Sequence, residues 1–165
     1  MRDNMPLTDL LTPEAVIPAL KCNSKKQALQ ELAAHAATLI PDLTEREIYD
    51  TLVQRERLGS TGIGDGIAIP HGKPEKLDRV VGLFARAERP FDFDALDGQP
   101  VDLMFLLLAP ENAGADHLKA LARVARVLRE PAMLERIRAT RDPDALYALL
   151  TETNGAAQPA RAALA

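Results

Sequence analysis

The chain has 165 residues, 47% apolar and 27% charged, which suits one α/β or α+β domain able to bury its own core. Its net charge is −4 with no block of lysine or arginine, so nucleic acid is a poor partner. A single cysteine, Cys22, excludes an internal disulfide. The N-terminal "MRDNMPLTDLL" lacks the apolar centre of a secretion signal, and the longest apolar run, Leu103 to Ala109, falls far short of the roughly 20 residues that span a bilayer.

The expected setting is therefore the cytoplasm, without membrane insertion. In chain order, "LTDLL" predicts a short helical turn ended by Thr12-Pro13. "AVIPAL" predicts a strand that Pro18 confines to a sheet edge. Ser24 and Gln27 have capping-box spacing and open a helix with Leu29, Leu32, Ala33 and Ala36 on one face, ended by Pro41. Thr44 and Glu47 repeat that spacing and open a second helix, with Ile48 and Leu52 inward and Arg55 to Arg57 in its last turn.

Four glycines, Gly59, Gly62, Gly64 and Gly66, precede a predicted strand over Ile67 to Ile69, and His71 follows Pro70 directly. Arg79 to Ala87 predicts a strand, Asp97-Gly98 a turn, and the almost wholly apolar Val101 to Ala109 a central strand covered on both faces. A helix starts at or just before Asp116, with Leu118, Leu121, Ala122, Ala125 and Leu128 as its apolar stripe. Pro131 opens another with Met133, Leu134 and Ile137, and Asp142-Pro143 opens a last one through Leu150. Residues 1–152 read as one domain and 153–165 as a fraying tail.

The glycine-rich stretch is neither a dinucleotide fingerprint nor a Walker loop. The first needs strand, glycines, helix in that order, and here a helix comes first and a strand last. The second needs a glycine five residues before Gly72-Lys73 and then Ser or Thr, where Ile67 and Pro74 stand. Two roles stay open for these glycines: turning the chain, or letting backbone N–H groups approach an anion.

An imidazole at a strand end is held on a rigid element yet reaches solvent, and its neutral form is a good nucleophile near pH 7. His71 has that placement. His35, inside a helix with no suggestive neighbours, does not. Arg55 could pair bidentately with a phosphoryl group, or simply cap its helix end in solvent beside Glu56. His117, in the first turn of its helix, sits where anions are favoured. Lys119, Arg123, Arg126 and Arg129 give that helix a basic outer face able to receive an acidic partner. A metal site of His71, His117 and Asp65 has no supporting spacing, so no metal and no cofactor are expected.

The run "RERLGSTGIGDGIAIPHGK", with "FDALDGQPVDLMFLLLAPE" and "HLKALARVARVL", resembles the enzyme IIA domains of the bacterial phosphotransferase system, fructose–mannitol type. Within them it is most similar to the nitrogen-regulatory IIA proteins, over roughly Leu7 to Glu152. The resemblance implies a mixed β-sheet flanked by helices on both faces. It implies that His71 accepts a phosphoryl group from a histidine-containing phosphocarrier protein, that Arg55 contacts the phosphoryl oxygens and that His117 supports the group without carrying it. Backbone N–H groups near Gly66 and Gly72 are expected to help bind it. The chain would then be a transient phosphoryl carrier whose phosphorylation state regulates partners, among them potassium-transport regulators or sensor kinases. The alternative is a sugar-specific IIA component that passes phosphate to a IIB domain.

Overall fold

The computed structural model describes residues 7–152. A 3-10 turn over Leu7–Asp9 and another over Pro13–Ala15 lead into β1, Val16–Leu20. Helices α1, Lys25–Leu39, and α2, Glu45–Arg57, follow. Then come β2, Gly62–Gly64; β3, Ile67–Ala68; β4, His71–Gly72; β5, Val81–Phe91; and β6, Val101–Leu108. Three helices close the order: α3, Ala115–Val127; α4, Pro131–Ala139; and α5, Pro143–Thr151. The expected tail, residues 153–165, lies outside the described residues.

The helix starts are where side chains satisfy the free N–H groups of the first turn. Thr44 Oγ1 accepts from Glu47 N at 3.1 Å and Glu47 Oε1 accepts from Thr44 N at 2.9 Å, a complete capping box. At α1, Ser24 accepts from Gln27 N, but the Gln27 side chain reaches one residue further back, to Asn23 N at 2.7 Å. Asp142 caps α5 by accepting from Ala145 N at 2.9 Å.

The sheet is mixed, in the order β1-β5-β6-β3-β2, with β4 also on β6. β6 is its axis. It runs antiparallel to β5 and parallel to both β3 and β4. Every residue of β6 but Asp102 is buried, so both of its faces are covered. β1 is an edge strand, parallel to β5, as Pro18 requires. Helices α1 and α2 pack on one another and on β5 and β4, while α3 lies on β6 and α5 on β1.

Three strands differ from expectation. β3 ends at Ala68 and a separate β4 takes His71 and Gly72, because Pro70 has no N–H to continue the ladder. The break is local: Pro70 still accepts from Leu107 N at 2.9 Å, and Ile67, Ala68, His71 and Gly72 keep one register on Leu103, Met104, Leu107 and Leu108. β5 starts two residues later than expected and runs on to Phe91, past a register shift where Glu88, Arg89 and Pro90 are exposed. The stretch over Gly62–Gly64 is a strand paired antiparallel to β3, with Asp65-Gly66 as its two-residue turn. Both turn residues have positive φ, 58° and 81°, the conformation that Asp-Gly favours in tight hairpins.

The core centres on Phe84, Phe105, Leu103, Met104 and Leu106, each less than 2% exposed. Phe84 and Phe105 face each other across β5 and β6 with ring centroids 6.5 Å apart. Phe105→Ala is expected to cost about 3–5 kcal/mol in urea unfolding, the usual range for removing a buried ring from a strand that cannot collapse. A loss below about 1 kcal/mol would mean that β6 is not the axis described.

Candidate functional site

The site forms where the C-terminal end of α2 meets β4. Helix α2 ends at Arg57 with Leu58 as its C-cap. Its last turn points Arg55 at His71: Arg55 Nε donates to His71 Nε2 at 3.2 Å, and Arg55 Nη1 donates to the Gly59 carbonyl at 3.0 Å. On the other side of the ring, His71 Nδ1 donates to the Ile69 carbonyl at 2.8 Å. The two contacts agree on one tautomer. Nδ1 carries the proton and Nε2 carries the lone pair.

His117 sits in the first turn of α3, only 6% exposed. Its ring centroid is 5.5 Å from that of His71, at 49°. His117 Nδ1 is buried with no hydrogen-bond partner. An unpaired buried ring nitrogen beside a half-buried imidazole is costly unless something polar arrives there.

Both imidazoles are held below the ordinary histidine pKa. For His71, burial is the main cause and the Arg55 charge adds to it, against the upward pull of the Ile69 hydrogen bond and of Glu56. For His117, burial again leads, followed by His71 and Lys73. Both rings are therefore neutral at pH 7, the state in which Nε2 of His71 can act as a nucleophile.

Beside His71 opens a cleft of about 440 Å³ whose wall includes Arg55, Ser60, Ile63, Leu96, Leu121 and Arg129. Ile63 and Leu96 are 40% and 76% exposed, and Leu58 and Leu118, on the helices that frame the cleft, are 83% and 67% exposed. Apolar side chains thus share the cleft wall with His71, Arg55 and Arg129.

Of the expected site residues, the structure brings together Arg55, His71 and His117. Gly72 adjoins them as a ladder residue. Its carbonyl accepts from Ala109 N at 3.0 Å, and a Cβ at this position would lie 2.5 Å from the Thr51 methyl, so the close approach of β4 to α2 requires glycine. Gly66 lies in the hairpin turn, where a Cβ would run into the ion pair of Arg138 and Asp102, joined at 2.7 and 2.9 Å, and Arg138 also donates to the Asp65 carbonyl at 2.7 Å.

Glu56 does not pair with Arg55. It is turned inward to Lys25 and Thr61. His35 is exposed on α1. Among the described residues no group of three or more His, Cys, Asp or Glu could hold a metal ion, so Asp65 does not complete a metal site with His71 and His117.

The stripe expected on α3 holds at Leu128, which is buried, and in part at Leu121 and Ala125, which pack half-buried against the core. The buried positions of α3 are His117, Ala120 and Val124, continued by Leu128, while Leu118 and Ala122 face outward and Leu121 and Ala125 line the cleft. The basic face is divided as well. Arg123 is turned in to pair with Asp9 at 2.8 Å, and Arg129 lies on the cleft. Sequence reasoning missed Leu96 and Ile63 at the site. Their signal was apolar residues inside turn-rich segments, where a core cannot use them.

A histidine with a depressed folded pKa binds fewer protons folded than unfolded in the window between the folded value and about 6.5. Stability is therefore complete above pH 6.5 and falls as pH drops from 6.5 through the depressed folded values. We expect the His71 and His117 ring resonances to titrate below 6.5 and the thermal midpoint to decline in step. Titration of either ring above 6.5 would contradict the buried, cation-flanked geometry.

The described helices include none long and apolar enough to cross a membrane. The family model for the phosphoenolpyruvate-dependent sugar phosphotransferase system, EIIA 2, matches residues 9–153. A nitrogen regulatory protein of Bradyrhizobium diazoefficiens is 62% identical over 146 residues, 88% of this chain and 95% of the relative. One from Escherichia coli K12 is 42% identical over 153 residues, 90% and 91% of the two chains. The crystal structure of nitrogen regulatory protein IIA-Ntr from Neisseria meningitidis superposes with a TM-score of 0.80 at 34% identity, over 86% of this chain and 97% of that one. Sheet, helices and sequence agree, and the chain belongs to the phosphotransferase-system EIIA type 2 family, on its nitrogen-regulatory branch.

Proposed function

We propose that this protein is a phosphohistidine carrier of the nitrogen-related phosphotransferase system, with His71 Nε2 as the acceptor. The observation that carries the proposal is the assignment of the two ring nitrogens: Nδ1 is committed to the Ile69 carbonyl, and Nε2 faces the Arg55 guanidinium. Phosphoryl transfer asks chiefly for positioning and for charge to meet the phosphoryl oxygens. Arg55 supplies the charge at the acceptor atom, and the unpaired Nδ1 of His117 supplies a buried polar partner beside it.

The step balances without a base. Nε2 attacks the phosphorus of the donor phosphohistidine, a new P–N bond forms at His71, and the P–N bond on the carrier breaks. The carrier ring, protonated on its free nitrogen, leaves with the bonding pair as neutral imidazole, which matches the positive charge that His71 gains. The Nδ1 proton stays on His71, where the Ile69 carbonyl stabilises the positive charge the ring gains. Arg55 Nε, freed from the lone pair it had capped, turns to the phosphoryl oxygens.

Phosphorylation adds about 1.5 to 2 negative charges to the rim of an apolar cleft. A partner seated on Ile63, Leu96 and Leu118 would then bind one state better, and about 1.4 kcal/mol of difference gives tenfold discrimination. Potassium-transport regulators and sensor kinases, the partners implied by the family resemblance, are read as sensing His71 in this way. The strength of the likeness to nitrogen regulatory proteins supports regulation over onward transfer to a sugar IIB domain.

Intact mass after incubation with phosphoenolpyruvate, the first phosphotransferase enzyme and the histidine phosphocarrier should show one added phosphoryl group. His71→Ala should abolish it. Arg55→Ala should slow its acquisition by about 10²–10³-fold, as for other donors aimed at developing charge, and His117→Ala should slow it less. Labelling of His71→Ala would overturn the assignment, and rapid transfer to a sugar IIB protein would restore the transport reading.

A further inference from the structure

Glu56 is a buried carboxylate, its side chain 6% exposed, on the same helical turn as Arg55. It accepts from Thr61 N at 3.0 Å and from the Thr61 hydroxyl, and it pairs with Lys25 Nζ at 2.9 Å. Lys25 in turn lies 4.8 Å over the Phe93 ring. Thr61, 4% exposed, passes the constraint on: its carbonyl accepts from Ile69 N at 2.9 Å, and the Ile69 carbonyl accepts from His71 Nδ1 at 2.8 Å. Hydrogen bonds therefore tie Lys25 and Glu56 to Thr61, Thr61 to Ile69, and Ile69 to the far nitrogen of the ring, the backbone of Thr61 and of Ile69 joining one bond to the next. One turn of α2 governs both nitrogens, Arg55 directly and Glu56 through these bonds.

We propose that Glu56 is a positioning residue for His71: acting through Thr61 and Ile69, it keeps the Ile69 carbonyl on Nδ1 and so joins Arg55 in holding the ring in the Nδ1–H tautomer, with the lone pair on Nε2. This rests on His71 being the phosphoryl acceptor. A free neutral imidazole favours the opposite tautomer, with its proton on Nε2, and that form has no lone pair at the acceptor atom. Two contacts oppose this preference: Arg55 Nε donates to Nε2, and the Ile69 carbonyl accepts from Nδ1 for as long as Ile69 is held in place, since the hydrogen bond on one ring nitrogen sets the protonation of the other. Ile69 N is held by the Thr61 carbonyl, and Thr61 is held by the buried Glu56 side chain that pairs with Lys25.

The test reads the tautomer directly, from long-range ¹H–¹⁵N spectra of the His71 ring in the full chain with no phosphoryl donor present. The wild type should show Nδ1–H alone. Glu56→Ala should show a mixture of tautomers and take up phosphate about tenfold more slowly, with an unchanged KM for the carrier, as expected when a reacting atom is present but wrongly disposed. Glu56→Gln, whose amide oxygen still accepts from Thr61 N, should restore the Nδ1–H form and most of the rate. A Glu56→Ala chain that melts lower yet keeps His71 wholly Nδ1–H would overturn the proposal. If that variant does not fold, Glu56→Met, which fills the space but offers Thr61 N no acceptor, decides by the same spectrum, and an unmixed Nδ1–H ring there overturns it too. The tautomer is read apart from phosphorylation. A wild-type Nδ1–H ring that Glu56→Ala scrambles, in a chain that never takes phosphate, would therefore refute the carrier function and leave the positioning role standing.

Discussion

The hydrogen bond from His71 Nδ1 to the Ile69 carbonyl decides what the other nitrogen of the ring can do. An imidazole offers one lone pair and one N–H when neutral, and a protein that commits the N–H commits the lone pair as well. Here the commitment comes from backbone two residues away, along a segment whose Pro70 and Gly72 carbonyls accept from Leu107 N and Ala109 N. The sheet fixes that backbone, Thr61 holds Ile69 N in turn, and Arg55 meets the other ring nitrogen.

β6 serves as the ruler for the site. Its apolar run buries both faces, and its register pairs His71 with Leu107 at a fixed height above the core. The methyl of Thr51 against Gly72 then sets how near α2 may come, and α2 ends in the turn that carries Arg55 and Glu56. From the other side α3 brings His117, with Arg123 clamping that helix to Asp9 near the start of the described chain. Three elements distant in sequence converge because each is tied to β6 or to a neighbour of β6. Burial lowers both histidine pKa values by the same act that assembles the site.

Much of this was legible in the residues. Thr44 with Glu47, Asp142 with Pro143 and the apolar run of β6 are local signals whose physics does not depend on the rest of the chain. The edge position of β1 followed from one proline. What was illegible depended on partners far away. Leu118 looks like a core residue by periodicity but faces the rim, and a buried position of α3 is taken by His117, a residue that hydropathy places outside. β5 passes through Glu88, Arg89 and Pro90 because a register shift absorbs them. Gly66 looked like an anion-binding glycine, and its surroundings, Arg138 and Asp102, come from α4 and β6. Glu56 was read as a neighbour of Arg55, yet its true partner, Lys25, lies a whole helix earlier.

The central claim is that Nε2, and not Nδ1, is the reacting atom of His71. Its most direct measurement is the phosphorus–nitrogen coupling pattern of the ¹⁵N-labelled, phosphorylated protein, which identifies the ring nitrogen bonded to phosphorus. The account predicts phosphorus on Nε2, with Nδ1 still carrying its proton. Phosphorus on Nδ1 would contradict it, since the Ile69 hydrogen bond would then have to break before the chemistry could begin.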